Sequence, residues 1–378
     1  MRYCISCLST DTRPNSRLGD DGMCLPCRFA ADSESIDHPA RMQELHTIVR
    51  RLTRTTRGDR WQCIVGVSGG KDSTRQALWV REQLDLEPLL VSVAYPPRQM
   101  SHVGAQNISN LTDLGFDVLF VGPAPRRSRH LVRESFLRFG NWARPTEMAL
   151  FAGVPRIAIE KRVPLVLWGE NSALQVGETG IFGTSIWDGN NLRSMNTLSG
   201  GDLGWFVDVV GREEDLRPYQ FPSVEELDRA RVQTIFLGPA WRDWSAEQNS
   251  LIAMTHGLTF RRLDAPVTDD PVGTSSIDDE FMTVNHLVKY FKFGFGRATD
   301  TYNLMIRAGQ LTRDAAIPLV ERHDGQCPDS DIESFCDYIG ITVEEFWATV
   351  HRFSDPQLFE LSEQRPRPRF KVGTGIAR

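Results

Sequence analysis

The sequence predicts an α/β protein built on a doubly wound parallel sheet, with a small cysteine-rich module before the sheet and a mainly helical region after it. Between residues 61 and 168, four short apolar runs alternate with segments whose apolar residues follow helical spacing. Such alternation indicates βαβ units and therefore a parallel sheet. Four of the seven cysteines lie in the first 27 residues, and helix-capping signals recur in the second half. A chain of 378 residues is long enough for two or three domains.

The cysteine-rich module spans residues 1–33 and has the pattern C-x2-C-x16-C-x2-C, formed by Cys4, Cys7, Cys24 and Cys27. Two C-x2-C turns can direct four thiolates to one point, which is the tetrahedral set that structural Zn²⁺ favours. Disulfides are disfavoured because no export signal precedes the cysteines, and an iron–sulfur or redox centre is the alternative. We therefore predict a zinc-ribbon-like module.

The next two regions are a connector and the sheet domain. Apolar residues at helical spacing predict an amphipathic connector helix within 34–60. The sheet domain, 61–210, has predicted strands at 61–67, 88–94, 116–121 and 164–168, with predicted helices at 73–84, 103–114, 128–139 and 147–162. The Gly- and Asn-rich stretch that closes this domain is typical of an active-site loop or a disordered insert.

Residues 211–361 are predicted to be mainly helical. Capping-box patterns begin at Ser223, Ser245 and Thr342, and helical segments are predicted at 279–293, 297–308, 312–322 and 329–338. The last stretch, 362–378, is rich in Arg and Pro and has few large apolar residues. We expect a disordered or loosely docked tail there.

The segment from Ser68 to Ser73 has the sequence Ser-Gly-Gly-Lys-Asp-Ser and joins a predicted strand to a predicted helix. Adjacent glycines let the backbone approach an anion, the helix N-terminus offers N–H groups, and Lys71 adds positive charge. Walker A does not fit, because Gly66 is one residue too near and Asp72 follows the lysine. The pattern that fits is SGGxDS, the pyrophosphate loop of the PP-loop ATPases, which are Rossmann-like enzymes that cleave ATP between the α- and β-phosphates.

Beyond this loop, the chain resembles the N-acetyl sugar amidotransferase family of PP-loop ATPases over nearly its whole length. The resemblance rests on the cysteine pairs followed by SGGKDST, on PLVLWGEN at 164–171 and on KFGFGRATD at 292–300. Members of that family convert an acetamido group on a sugar, often a nucleotide-linked one, into an acetamidino group during surface-polysaccharide biosynthesis. The resemblance implies an AMP-forming ligase that adenylates the amide oxygen, with ATP, Mg²⁺ and structural Zn²⁺ as cofactors.

The resemblance also implies roles for particular residues. Nucleotide binding is expected of Ser68, Gly69, Gly70, Lys71, Asp72, Ser73, Val93, Ala94, Gly169 and Asn171. Catalytic roles are expected of Lys71, Asp72, Glu170, Lys289, Lys292 and Arg297. The last three would form a positive lobe that closes over the phosphates, and Asp72 would orient Mg²⁺. Simpler interpretations stay open: a helix N-terminal acid for Asp72, core packing for Val93 and Ala94, a loop anchor for Glu170, and a solvated helix face for the two later lysines.

No glutaminase motif is visible in the sequence, so ammonia is expected from free solution or from a separate glutaminase subunit with a cyclase-like channel subunit. The acceptor is expected to be an N-acetylated sugar. One alternative is a thionating enzyme that adenylates a base, a small metabolite or tRNA and accepts sulfur. Another is a non-catalytic nucleotide-binding or zinc scaffold.

Composition and charge narrow the expected location and partners. The formal charge of −6 lacks the basic footprint of a nucleic-acid-binding protein, which weighs against tRNA without closing that possibility. No apolar run approaches the roughly 18 residues that cross a bilayer, so we predict no membrane partner. The first residues lack an apolar signal core, so we expect a cytoplasmic protein.

Overall fold

The fold was analysed in a computed structural model, which describes residues 1–14, 16–33, 35–56, 58–169, 187–192, 198, 201–242, 245–261 and 268–376. In this part of the chain, five parallel strands form one sheet in the order β3-β2-β1-β4-β5. The strands are β1 Cys63–Val67, β2 Pro88–Val93, β3 Asp117–Val121, β4 Leu165–Trp168 and β5 Gln233–Phe236. Strand order reverses between β1 and β4, so the predicted parallel, doubly wound α/β sheet is confirmed.

Strand β5 was not predicted from the sequence pattern. This strand has four residues and pairs in parallel with β4, from Leu165 beside Gln233 to Trp168 beside Phe236. Its ends are joined to the neighbouring strand by hydrogen bonds from Gln233 N to Pro164 O and from Leu237 N to Trp168 O. The sheet therefore continues past residue 210, into a region where only helices were predicted.

Helices cover both faces of the sheet and form most of the chain after it. In the described residues they are α1 Leu25–Ser33, α2 His38–Leu52, α3 Lys71–Leu84, α4 His102–Asp113, α5 Pro125–Phe139, α6 Arg144–Lys161, α7 Gly204–Val210, α8 Val224–Ala230, α9 Ala246–Thr255, α10 Met282–Phe293, α11 Arg297–Arg307, α12 Arg313–His323, α13 Asp329–Ile339 and α14 Val343–Phe353. The predicted connector helix is thus α2, and the region after the sheet is mainly helical as expected. None of the described helices combines the length and hydropathy needed to cross a lipid bilayer.

The two faces of the sheet bury separate apolar cores because side chains alternate along each strand. Ile64 of β1 packs into a core shared with α6, whereas Cys63 and Val65 pack into a core shared with α2, α3 and α4. A third core lies among α5, α10, α13 and α14. Capping boxes are present at Ser223 and Thr342, where the predicted helices begin.

The expectation of a disordered or loosely docked tail is wrong for residues 362–376. Strand β6, Phe359–Glu360, pairs antiparallel with β7, Arg367–Pro368. The Phe370 ring packs edge-on against Phe359, with centroids 5.6 Å apart, and Arg313 donates a hydrogen bond to the carbonyl of Gly373 at 2.7 Å. Arg313 lies far from the tail in sequence, and the local composition of the tail does not show such a contact.

Candidate functional site

The candidate site is a cleft at the carboxyl end of β1, where the strand order reverses. Strand β1 leads through Ser68, Gly69 and Gly70 directly into α3, which begins at Lys71. Gly70 is the N-cap of α3 and provides no side-chain hydrogen bond to the first turn. An uncapped helix N-terminus at the edge of a parallel sheet presents backbone N–H groups and a positive dipole end to an anion.

Gly69 is required by the shape of this loop. Its φ of +84° is in the left-handed region, and a Cβ at this position would lie 2.9 Å from the carbonyl oxygen of Gly104. The loop is also held internally, because the Ser73 hydroxyl donates to the carbonyl of Gly70 at 3.1 Å. The loop backbone therefore packs closely against α4, and the hydrogen bond from Ser73 stabilises the turn at Gly70.

Lys71 and Asp72 form a pair at the start of α3. The Lys71 side chain is buried, and its Nζ donates to Asp72 Oδ2 at 2.9 Å. The other carboxylate oxygen of Asp72 accepts from Asn249 Nδ2 at 2.6 Å, and Asn249 Oδ1 in turn accepts from Arg75 at 2.6 Å. Although burial raises the pKa of Asp72, the charge and hydrogen bond of Lys71 lower it below its usual value. This carboxylate is thus ionised and oriented, which suits the Mg²⁺ role expected of it.

Part of the cleft lining comes from residues 274–297, far along the chain from the loop. Thr274, Ser276, Asp278, Met282 and Arg297 line the cleft together with the loop. The Arg297 guanidinium is half-buried and donates from Nε and a terminal nitrogen to Ser275 Oγ, at 3.0 and 2.8 Å. Its positive charge also contributes to the lowered pKa of Asp72 across the cleft. Two cations, Lys71 and Arg297, therefore line the same cleft.

Tyr95 and Asp278 are among the polar cleft residues that the sequence analysis missed. The Tyr95 hydroxyl donates to Asp278 Oδ2 at 2.9 Å, and both side chains line the cleft. Burial raises the pKa of Asp278, and the hydrogen bond from Tyr95 only partly offsets this effect. Tyr95 directly follows the predicted strand 88–94, so its position at a strand end was a signal available from the sequence. Asp278 had no such signal, because it is brought to the loop by tertiary packing.

The structure brings together only some of the residues expected to bind nucleotide or catalyse. Ser68, Gly70, Lys71, Asp72, Ser73, Gly169 and Arg297 all line the cleft. Val93 is buried in the core beneath it, and the backbone N–H of Ala94 bonds to Val121 O, so the strand end offers Tyr95 to the cleft instead. Glu170 and Asn171 lie outside the described residues.

Lys289 and Lys292 are placed differently from the expected lobe over the phosphates. Lys289 Nζ donates to Asp300 Oδ2 at 2.7 Å. Lys292 Nζ donates to the carbonyls of Phe139 and Gly140, at 2.8 and 3.4 Å, and so stabilises the carboxyl end of α5. Neither lysine is among the residues that line the cleft, because the two ammonium groups are used in packing α10 against its neighbours.

The four N-terminal cysteines form a second candidate site. All four are buried, and their sulfur atoms lie within 4.8 Å of one another. Backbone N–H groups of Cys24 and Ser6 donate to Cys4 Sγ at 3.2 and 3.4 Å, and the N–H of Ser9 donates to Cys7 Sγ at 3.4 Å. Hydrogen bonds from Cys24 and then Cys27 lower the pKa values of Cys4 and Cys7, the latter to about 6. The neighbouring cysteines and burial raise the pKa values of Cys24 and Cys27. Four converging sulfurs, two of them with lowered pKa values, could bind zinc in a closed tetrahedral site.

The cysteine module is joined to the helical region through α11 and α12. Asn303 accepts from Leu8 N at 2.7 Å, and Arg313 donates to the carbonyls of Cys4 and Cys7 at 3.2 Å each. The Arg307 guanidinium lies 3.7 Å from Cys7 Sγ and donates to Ser9 Oγ at 3.0 Å. A cation beside four sulfurs offsets the net negative charge of a zinc tetrathiolate.

One known protein family is similar in sequence to a segment of this chain that lines the cleft. Residues 275–373 match the sequence model of a family described as LPS biosynthesis protein WbpG-like, C-terminal domain. No curated protein matches the chain. The matched segment contains Ser276, Asp278, Met282 and Arg297, so it contributes one side of the cleft. The match fits the sugar-related family that the sequence resembles.

Proposed function

We propose that this protein is an ATP-dependent, AMP-forming amidotransferase that converts the acetamido group of an N-acetylated sugar into an acetamidino group. The proposal places the reaction in polysaccharide biosynthesis, in line with the LPS biosynthesis family whose C-terminal domain matches residues 275–373. The acceptor we favour is a nucleotide-linked sugar, in keeping with the family resemblance of the whole chain.

One observation carries the proposal: an SGGKDS loop and Arg297 of the matched domain line a single cleft. The loop provides helix N–H groups and Lys71, which suit the phosphates that leave as pyrophosphate. Arg297 provides a second positive charge in the same cleft. Charge that develops on a leaving pyrophosphate is stabilised by fixed cations of this kind without reorganisation during the reaction.

The chemistry requires ATP because an amide carbonyl is a poor electrophile. In the proposed reaction the amide oxygen attacks the α-phosphorus, the bond to the β-phosphate breaks, and pyrophosphate leaves. Ammonia then attacks the activated carbon, the C–O bond to AMP breaks, and one proton is released as the amidine forms. Much of the acceleration would come from holding the amide oxygen in line with the α-phosphate.

The residues that line the cleft would bind phosphate, hold Mg²⁺ and exchange a proton. Lys71 and Arg297 would hold and neutralise phosphate oxygens, while Asp72, fixed by Lys71 and Asn249, would hold Mg²⁺. Magnesium supplies charge neutralisation on the phosphates when it is bound. Asp278, with its raised pKa and its hydrogen bond from Tyr95, would exchange a proton within the cleft.

Ammonia would come from outside this chain. We propose a separate glutaminase subunit, with a cyclase-like channel subunit, as the physiological source. If the purified chain alone produced amidine from glutamine, this part of the proposal would be wrong.

The direct test is to incubate the purified protein with ATP, Mg²⁺, a nucleoside-diphosphate-linked N-acetylated sugar and ammonium chloride. AMP and pyrophosphate should appear in equal amounts, together with a sugar whose mass reflects replacement of oxygen by NH. A control without acceptor measures ATP hydrolysis that is not coupled to transfer. A sulfur-substituted product with a sulfide donor would instead support a thionating enzyme, and the absence of AMP with every acceptor would support a non-catalytic scaffold.

A further inference from the structure

A loop of the cysteine module contacts the corner between α10 and α11. Thr12 Oγ1 donates to the carbonyl of Phe293 at 2.5 Å, and the Arg13 guanidinium lies over the Phe295 ring, 4.2 Å from its centroid. Arg13 also forms a hydrogen-bonded ion pair with Asp300. Both side chains of this pair are largely buried, at 13% and 17% exposure, so the contact is more than a surface ion pair.

Asp300 has a cation on each of its carboxylate oxygens. Oδ1 accepts from Arg13, and Oδ2 accepts from Lys289 Nζ at 2.7 Å. Although burial raises the pKa of Asp300, the charges of Arg13, Lys289 and Arg297, in that order of size, lower it far below its usual value. The carboxylate is therefore ionised, and Arg13 is one of the two cations that hold it.

Arg297 and Asp300 lie three residues apart in the first turn of α11. Residues at this spacing are neighbours on a helix surface, so their opposite charges would attract one another directly. In the structure, however, the Arg297 guanidinium hydrogen bonds to Ser275 and lines the cleft. Lys289 and Arg13 occupy both carboxylate oxygens, which leaves Arg297 directed toward the cleft.

We propose that Arg13, in the cysteine module, is a positioning residue that occupies Asp300 and thereby keeps Arg297 available to bind phosphate. This inference rests on the proposed function only in taking Arg297 as a phosphate-binding group. It gives the cysteine module a role in anion binding in addition to any stabilisation that a metal provides. Without Arg13, one oxygen of Asp300 is vacated and Arg297 folds back along its own helix to fill it.

The test measures the affinity of the full chain for ATP and for pyrophosphate by calorimetry in four variants. Arg13→Met should weaken both affinities by about 10-fold, the order expected for one misplaced charged hydrogen bond. Arg13→Lys keeps a cation beside Asp300 and should recover most of this loss. Arg2→Met is the matched control, because Arg2 also pairs with an aspartate of the module, Asp11, but is 74% exposed.

The deciding variant is the double substitution Arg13→Met with Asp300→Asn. Removing the competing charge should release Arg297 again, so affinity should return to within about 3-fold of the wild-type value. A purely structural role for Arg13 predicts the opposite, since losing both partners would weaken binding further. Metal content per chain and the thermal unfolding midpoint are measured in parallel to show that the module is intact.

The outcomes separate the two proposals. If the wild-type chain binds neither ATP nor pyrophosphate, the proposed function and this inference both fail. If the wild type binds them and Arg13→Met binds equally well, only the inference is overturned. A double variant that is as weak as Arg13→Met or weaker also overturns it.

Discussion

Replacing Lys71 by Met tests the phosphate loop most directly. Lys71 is 5% exposed, and it forms an ion pair with Asp72 at 2.9 Å. Methionine keeps an unbranched side chain of similar length in this buried position and removes the positive charge. The variant therefore separates the charge of the loop from its packing.

The expected magnitude follows from the contacts. A hydrogen bond that involves a charged group contributes about 1.5–3 kcal/mol, which corresponds to roughly 10- to 150-fold in affinity or rate. Asp72 also loses the charge that lowers its pKa, so that pKa should rise. If ionised Asp72 is required, the acid limb of the pH–activity profile should move to higher pH in Lys71→Met.

The assay is AMP formation with ATP, acceptor and ammonium, measured over a range of pH. Lys161→Met, at the exposed end of α6, is the matched control and should be silent. Lys71→Arg should also reduce AMP formation substantially, because a planar guanidinium is bulkier than the ammonium group in a buried position. AMP formation by Lys71→Met within about twofold of the wild type, with an unmoved acid limb, would refute the assignment of Lys71.

Three further predictions concern the metal, pH and loop shape. Metal analysis should find one zinc per chain that Cys24→Ser loses and Cys63→Ser, in the sheet core, retains. Burial raises the Asp279 pKa from 3.8 to about 7, so the folded chain binds a proton at Asp279 more tightly than the unfolded chain does. The free energy of unfolding should therefore fall by up to about 4 kcal/mol as pH rises through this range. Urea titrations of Asp279→Asn should lack this decline. Gly69→Ala should abolish ATP binding in calorimetry, whereas Gly115→Ala, with a similar φ of +86° but nothing within 4 Å of the added Cβ, should retain it and lose only about 1–2 kcal/mol of stability. A Cys24→Ser chain with full zinc, equal pH slopes for the two Asp279 forms, or equal ATP binding by both alanine variants would each contradict the corresponding prediction.

The sequence predicted the elements whose signals are local. Strands β1 to β4, the helices between them and the capping boxes at Ser223 and Thr342 all appear where periodicity and capping residues indicated. The cysteine cluster was predictable because C-x2-C turns constrain four sulfurs through short-range geometry. The strand-to-helix position of the 68–73 loop was likewise predictable, since the glycines, Lys71 and Asp72 are consecutive along the chain.

Strand β5 and the ordered tail were not predictable in this way. Strand β5 has only four residues and pairs with β4, whereas the tail contacts Tyr290 and Arg313, so both are held by partners distant in sequence. A short segment has too few residues to show a period. Its structure is therefore decided by the surface on which it packs.

Tertiary structure also determined which of the cations Lys289, Lys292 and Arg297 lines the cleft. Lys289, Lys292 and Arg297 lie close together in the sequence, and the sequence predicted a positive lobe but could not rank its members. Packing directs Lys292 to the end of α5 and Lys289 to Asp300, and leaves Arg297 in the cleft. The sequence by itself determined the loop and the cysteine cluster, because their chemistry depends on neighbours along the chain. Only the tertiary structure determined which cation faces the loop, because a charged side chain in a packed interface goes to whichever buried carboxylate or carbonyl the fold brings within reach.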